Sequence, residues 1–274
     1  MPGHAHDSSA GDIQALETVL PYPSYPELRD QHVFVSGGAT GIGAYLVDAF
    51  ASQGAQVSFV SLPGDPGDLL CDSVALRRGM RPRFEVCDLR DLAALEVTLD
   101  TLMRELGPVR VLINNAARDD RHTLASMDGA AWDDSINTNL RPHFFTARLA
   151  APGMRGAGGG SIINLGSNSA NLGLEGYPAY VTAKAGIVGL TRALARELGA
   201  AAIRVNTLVP GWVMTHRQRK LWANPAALAE CLAQQCLKRA LDGRDIAAAA
   251  LFLASNSAAM ITSQSLVVDG GRAT

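Results

Sequence analysis

Little in this chain equips it to hold a metal, a membrane or a nucleic acid. Its four cysteines, Cys71, Cys87, Cys231 and Cys236, have no CxxC spacing and no histidine at zinc-finger distance. They read as reduced, mostly packed thiols, and no metal site is expected. His4 and His6 lie in a small-residue tail and read as solvated. Neither sign of charge is in excess: 24 Lys and Arg face 26 Asp and Glu, a net charge of -2. A nucleic-acid groove or an anionic membrane surface therefore has no electrostatic basis. The longest apolar stretch, residues 247–254, is far shorter than the ~20 residues of a bilayer span and reads as a buried helix. No internal repeat is present. The opening residues carry prolines, histidines and acids where a secretory leader needs an apolar core, so the expected location is cytoplasmic.

What is present is apolar surface, 47% of residues, in a regular alternation. Strand-like runs near Val33 and Val57, and over residues 83–86, 109–113, 161–165, 203–208 and 266–268, alternate with helical stretches. Short apolar strands separated by helices imply a parallel sheet covered on both faces. The expected fold is α/β, a doubly wound parallel sheet of about seven strands in a single domain, which 274 residues can bury as one core. Residues 1–25, with Pro21 and Pro23 near their end, read as an extension that is mobile or lies at a subunit contact; residues 26–274 form the domain proper. Long helices are expected over residues 130–151 and 178–198, and further helices over 216–237.

Two motifs carry chemistry. The run Ser36-Gly37-Gly38-Ala39-Thr40-Gly41-Ile42-Gly43 follows the apolar Val33-Phe34-Val35 and precedes a periodic stretch from Tyr45. Strand, glycine turn and helix in that order let the backbone bend tightly and approach a pyrophosphate, with amides and a helix N-terminus facing the anion. Ser167 ends the run 161–166, and Tyr180-Val181-Thr182-Ala183-Lys184 follows it. On a helix Tyr180 and Lys184 share a face at i and i+4. A phenol titrating near ~10 is a poor base at neutral pH, and an adjacent ammonium is expected to lower it. Ser167, emerging at a strand end, is placed to hydrogen-bond a substrate oxygen.

From about Tyr25 to Gly271 the order of these motifs resembles the short-chain dehydrogenase/reductase family. The further matches are Cys87-Asp88-Leu89, Asn114-Asn115-Ala116-Ala117, Asn139 within Ile136-Asn137-Thr138-Asn139-Leu140, and Pro210-Gly211-Trp212-Val213-Met214-Thr215. The resemblance implies a Rossmann fold and an enzyme in which Tyr180 is the general acid/base. Lys184 lowers its pKa and holds the nicotinamide ribose, Ser167 orients the reacting oxygen, and Asn139 supports a proton relay. It also implies that NAD(P) is held by Gly37, Thr40, Gly41, Ile42, Gly43, Ser61, Leu62, Asp88, Leu89, Asn115, Ala116, Tyr180, Lys184, Pro210, Gly211, Val213 and Thr215. In the family the region after the Pro-Gly turn, here about 212–240, lids the substrate, and long helices pack between the subunits of a homotetramer. Two departures stand out: Ser36 replaces the common threonine, and Ala117 occupies a glycine position.

A narrower resemblance, carried by Arg118-Asp119-Asp120-Arg121-His122, Leu172-Gly173-Leu174-Glu175 and Gln235-Cys236-Leu237-Lys238, is to the family's D-xylose and L-arabinose type aldose dehydrogenases. A sugar needs a donor or acceptor for each hydroxyl, and Asp119, Asn168, Ser169, Glu175 and Trp212 are candidates for that edge. The charged run reads equally as a surface loop. The expected reaction is oxidation of an aldose at the anomeric carbon to its lactone. The alternatives are an NADPH-dependent reductase of 3-oxoacyl or other carbonyl substrates and, more remotely, a non-catalytic dinucleotide-responsive regulator. For the cofactor, Ser61 ends the second strand run where NAD-preferring relatives carry an acid. Loss of that repulsion leans the expectation slightly towards NADP, although no basic residue follows, and Arg77 and Arg78 read as solvated helix-end charges.

Overall fold

The computed structural model describes residues 10–16 and 21–272; His4 and His6 lie outside them. Seven strands form one sheet: β1 His32–Ser36, β2 Gln56–Ser61, β3 Arg83–Val86, β4 Val111–Asn114, β5 Gly160–Leu165, β6 Ile203–Pro210 and β7 Ser265–Val268. Their spatial order is β3-β2-β1-β4-β5-β6-β7, and every neighbouring pair is parallel. The helices are α1 Ala10–Ala15, α2 Gly41–Ser52, α3 Gly67–Arg78, α4 Leu92–Leu106, α5 Gly129–Asn139, α6 Arg141–Gly156, α7 Asn168–Leu172, α8 Pro178–Leu198, α9 His216–Leu221, α10 Pro225–Gln234 and α11 Gly243–Ala254.

Strand side chains alternate between two apolar layers, because successive residues on a strand point to opposite faces. On one face Val33, Val35, Ile113 and Ile163 pack with α2, α3 and α11. On the other Phe34, Leu112, Ile162 and Val205 pack with Leu95, Leu99 and Leu102 of α4, Met154 of α6 and Leu198 of α8. Burial on both faces explains why the strands read as unbroken apolar runs. The fold is thus the doubly wound α/β domain that the sequence implied. No described helix is long and apolar enough to cross a membrane.

Two expectations need correction. The single helix expected over 130–151 is two helices, α5 and α6, separated at Leu140, whose backbone leaves the helical region at φ -129°. Pro142, near the start of α6, has no N–H to continue the ladder and its ring clashes with a preceding turn, so the helix restarts there. Of the extension 1–25, expected to be mobile or at a subunit contact, residues 10–16 are packed on their own chain and are no mobile tail. Ile13 and Leu16 are buried in the layer that covers α2, and the apolar area they remove from water favours docking over a solvated tail.

Candidate active site

The sheet delivers its functional groups at the carboxyl ends of β1, β4, β5 and β6, the edge along which open α/β sheets bind ligands. After β1, Gly37 and Gly41 take left-handed φ values of 65° and 56°. Gly43 is dictated by contact, because a Cβ there would overlap the Gly37 carbonyl. The Ser36 hydroxyl accepts from the N–H groups of Asn115 (2.9 Å) and Ala116 (3.1 Å), and the Asn115 amide donates to Ser36 O and Gly37 O. The turn after β1 is thereby locked to the turn after β4 through the Ser36 hydroxyl. Ala117 has no positive φ, so glycine is not required there. Thr40 caps α2 from an extended conformation, Ile42 packs on the apolar layer, and the methyl of Thr215 lies 3.5 Å from the position of a Cβ at Gly41. Opposite, Pro210 ends β6, Gly211 donates to Val268 O at 2.9 Å, and Val213 is buried against Leu241.

At the ribose end the sequence reading changes. The Ser61 hydroxyl is buried and accepts from Ala39 N–H at 3.1 Å, so it braces the glycine turn instead of standing open for a ribose or phosphate. The carboxylate at this strand end is Asp65, which accepts from Leu62 N–H at 3.2 Å and which sequence reasoning missed. The Leu-Pro-Gly-Asp turn was its signal. Arg77 and Arg78, read as solvated, both pair with fully buried Asp48 at 2.7 and 2.8 Å. An uncompensated carboxylate inside α2 would be costly, which accounts for the pair. Asp88 is tied to Arg90 at 2.6 Å, whose hydrogen bond holds its carboxyl below the usual range, and Leu89 is buried.

The candidate catalytic corner joins β5 to α8. Ser167 caps α7, its hydroxyl 2.8 Å from that of Ser169, and it lies near enough to the Tyr180 phenol to lower its pKa. α8 starts with Pro178 and carries Tyr180 and Lys184 one turn apart. Lys184, 1% exposed, donates to Leu165 O at 2.8 Å and stands 5.6 Å from the Tyr180 ring centroid. The three residues are brought together as the spacing predicts, but their electrostatics differ from the expectation. Burial lowers Lys184 to about 7 and raises Tyr180; the Asp119 carboxylate opposes burial at the amine and adds to it at the phenol, where the Ser167 hydroxyl partly opposes the rise. An amine that loses its proton near neutrality carries no charge at the pH where the phenol would ionise. In the ligand-free site Lys184 therefore does not lower Tyr180.

Asn139 is buried, and its amide is fully engaged. Its oxygen accepts from Arg118 N–H (2.8 Å) and its nitrogen donates to the carbonyls of Arg118 and Ser135. The side chain fixes the loop after β4, leaving only the backbone of this helix end for a relay. Arg118 in turn pairs with Asp120 and Asp134. Behind the site His143 is buried with neither ring nitrogen hydrogen-bonded, and burial holds it neutral with a pKa well below the usual value.

The substrate candidates divide. Asp119 and Trp212 meet through one side chain: Trp212 donates to Gln218 Oε1 (2.9 Å), and Gln218 Nε2 donates to Asp119 Oδ2 (3.1 Å). The Asp119 carboxylate also raises the pKa of both Tyr180 and Lys184. Glu175 is exposed on the turn before α8. Asn168 and Ser169 are corrected: Asn168 is buried and points its amide to Asp269 at 3.4 Å, and Ser169 is buried in support of Ser167. Sequence reasoning missed Gln218 and the stack in which the Arg121 guanidinium lies 3.8 Å from the Tyr177 ring centroid and 4.9 Å from that of Trp222. Tyr177 continues to Tyr180, with centroids 5.4 Å apart. No local pattern announces a contact between the loop after β4, the start of α8 and the turn after α9.

Comparison with known proteins gives consistent relatives. Residues 37–273 match a family profile described as "Enoyl-(Acyl carrier protein) reductase". A probable galactose dehydrogenase of Rhizobium meliloti (strain 1021) is 47% identical, over 92% of this chain and 98% of its own. A D-xylose 1-dehydrogenase of Caulobacter vibrioides is 46% identical, over 90% and 97%. Among solved structures, a putative short-chain alcohol dehydrogenase from Sinorhizobium meliloti 1021 superposes with a TM-score of 0.85 at 31% identity, over 89% and 97% of the two chains. The ligand-free aldohexose dehydrogenase of Thermoplasma acidophilum gives 0.81 at 27%, over 90% and 96%.

Proposed function

The chain belongs to the short-chain dehydrogenase/reductase family and is an oxidoreductase, and from that premise we propose that it oxidises an aldose at its anomeric carbon to the lactone, using NAD(P). The observation that carries this reading is the juxtaposition of Ser167, Tyr180 and Lys184 with the Trp212–Gln218–Asp119 chain, an acid/base group edged by donors and acceptors spaced for hydroxyls. Relatives of nearly full length that act on galactose and xylose support it.

The backbone fits a dinucleotide. At Gly37, Gly38 and Gly43 a Cβ would collide with the protein itself, so the turn is bare backbone at those positions, and its Gly41 N–H already donates to a carboxylate, a stand-in anion. Gly37, Thr40, Gly41, Ile42 and Gly43 would hold the phosphates. Asn115, Ala116, Pro210, Gly211, Val213 and Thr215 would line the nicotinamide end, and Asp88 and Leu89 the adenine. When bound, the group supplies a hydride acceptor and a positive charge. Ser167 and Tyr180 orient the anomeric hydroxyl, whose proton passes to Tyr180 as the C1–H electron pair leaves, so a C=O bond forms at C1. Tyr180 keeps its proton in the ligand-free site, so the phenolate that accepts the sugar proton requires added positive charge beside it. Lys184 orients the ribose, and α9 and α10 form the lid. At the second ribose, Asp65 and the absence of a free cation among the described residues of that strand end weigh towards NAD, against the slight lean that Ser61 alone suggested.

A panel of aldoses, ketones and 3-oxoacyl thioesters run with each dinucleotide, read by absorbance of the reduced nicotinamide, tests the reading. Aldose oxidation exceeding ketone and thioester reduction is expected; preference for a 3-oxoacyl substrate would replace it with the reductase alternative.

A further inference from the structure

Asp12 belongs to none of the motifs above, yet it is 4% exposed and sits on the glycine turn. Its Oδ2 accepts from Gly41 N–H, the first amide of α2, at 2.8 Å, and its Oδ1 accepts from His216 N–H, next to Thr215, also at 2.8 Å. The carboxylate therefore bridges the turn to which the dinucleotide's phosphates are assigned above and the segment after β6 assigned to its nicotinamide end, 29 and 204 residues away in sequence. Its carrier is α1, docked by Ile13 and Leu16, with Gly11 so close to the His216 imidazole that a Cβ would collide with it.

An anion at the N-terminus of α2 satisfies an orphan amide and meets the positive end of the helix dipole. A carboxylate and a phosphate compete for that position, because the Gly41 N–H carries one proton and two anions at contact distance repel. We infer that α1 is a built-in occupant of the pyrophosphate subsite, with Asp12 standing in for phosphate, and that the dinucleotide binds as α1 is displaced. This rests on the dinucleotide part of the proposed function and not on the identity of the sugar. A helix of six residues is too short to persist alone, so its release costs its own docking and little else. The apparent affinity for the cofactor is lowered by the fraction of chains in which the subsite is closed.

Hydrogen exchange on the full chain, with and without NAD⁺ or NADP⁺, reads the displacement directly. Binding is expected to speed exchange over residues 11–16 while slowing it over 41–43. Slower exchange over 11–16 would overturn the inference, making α1 a cover that closes over the ligand. Calorimetry supplies the second arm. For Asp12→Asn and Asp12→Ala, the dissociation constants of ADP and of the dinucleotide should fall about tenfold, as expected when a competing closed state is removed, while that of adenosine stays unchanged. Equal or weaker ADP binding by both variants overturns the inference alone. Absence of any nucleotide binding by parent and variants overturns it together with the dinucleotide reading.

Discussion

At the glycine turn the groups offered to a ligand are backbone N–H donors, held by Gly37, Gly41 and Gly43 and braced by Ser36, Asn115 and Ser61. At the catalytic corner they are the side chains of Ser167, Tyr180 and Lys184, and burial governs their ionisation. The first region is fully formed in the ligand-free protein, where the Asp12 carboxylate accepts from its Gly41 N–H. The second is poised in its neutral forms. Amide dipoles need no proton to function, whereas a half-buried phenol and a buried amine must be charged from outside. One region is expected to answer to shape and the other to charge.

The largest break in that comparison is Tyr180→Phe. Positioned general acid–base catalysis contributes ~10²–10⁴-fold, and turnover should fall to the upper end of that range while the dinucleotide's dissociation constant stays within about twofold. Turnover by absorbance and binding by calorimetry check the two halves. A variant oxidising sugar at the parental rate would remove Tyr180 from the mechanism.

Lys184 sharpens the charge side. Its folded-state pKa, about 7, lies below the unfolded value of ~10.4. Between those pH values the unfolded chain holds the proton and the folded chain does not, so the contribution of this residue to stability rises with pH. The penalty is fully present below pH 7. Lys184→Met should remove it, leaving the ligand-free variant more stable near neutrality by on the order of 3 kcal/mol after the lost bond to Leu165 O, with the difference shrinking towards pH 10. Denaturant unfolding at a series of pH values reads it; a parallel offset at every pH would mean that Lys184 stays charged.

The same contrast governs what the sequence made legible. The turn 37–43, the strand runs and the bounds of α8 follow from local rules: glycine at forced approaches, apolar runs in a sheet covered on both faces, Pro178 at a helix start. Tyr180 and Lys184 could be paired because four residues make one helical turn. What could not be read depended on partners far along the chain. Ser61 turns inward because Ala39 N–H lies there, Asn168 because Asp269 does, and Arg121 finds Trp222 at the end of α9. The direction of the pKa shifts was missed for a related reason. An i, i+4 pair states a neighbour, but not how far the remaining structure buries each of the two.

On the shape side, Gly43→Ala forces a Cβ into the Gly37 carbonyl, and the backbone must yield. Overpacking of this kind costs about 1–3 kcal/mol, so dinucleotide binding should weaken by roughly ten- to a hundredfold, with sugar kcat at saturating cofactor little changed. Calorimetry separates it from Tyr180→Phe, which should do the reverse. Similar losses of binding in both variants would dissolve the division between the two regions.

The smallest effect is expected where shape and charge meet. Arg121 holds Tyr177 and Trp222 together by cation–π contact at an exposed position, worth ~0.5–1 kcal/mol for each ring. Tyr177 stacks on towards Tyr180, and the guanidinium also favours the ionised phenol. Arg121→Gln should loosen the sugar edge and raise KM about three- to tenfold, with kcat nearly constant if the contact is made equally in the ground and transition states. Trp222→Leu breaks the stack while leaving the cation. A rise in KM shared by both variants identifies the stack as the working element; a fall in kcat confined to Arg121→Gln identifies the charge.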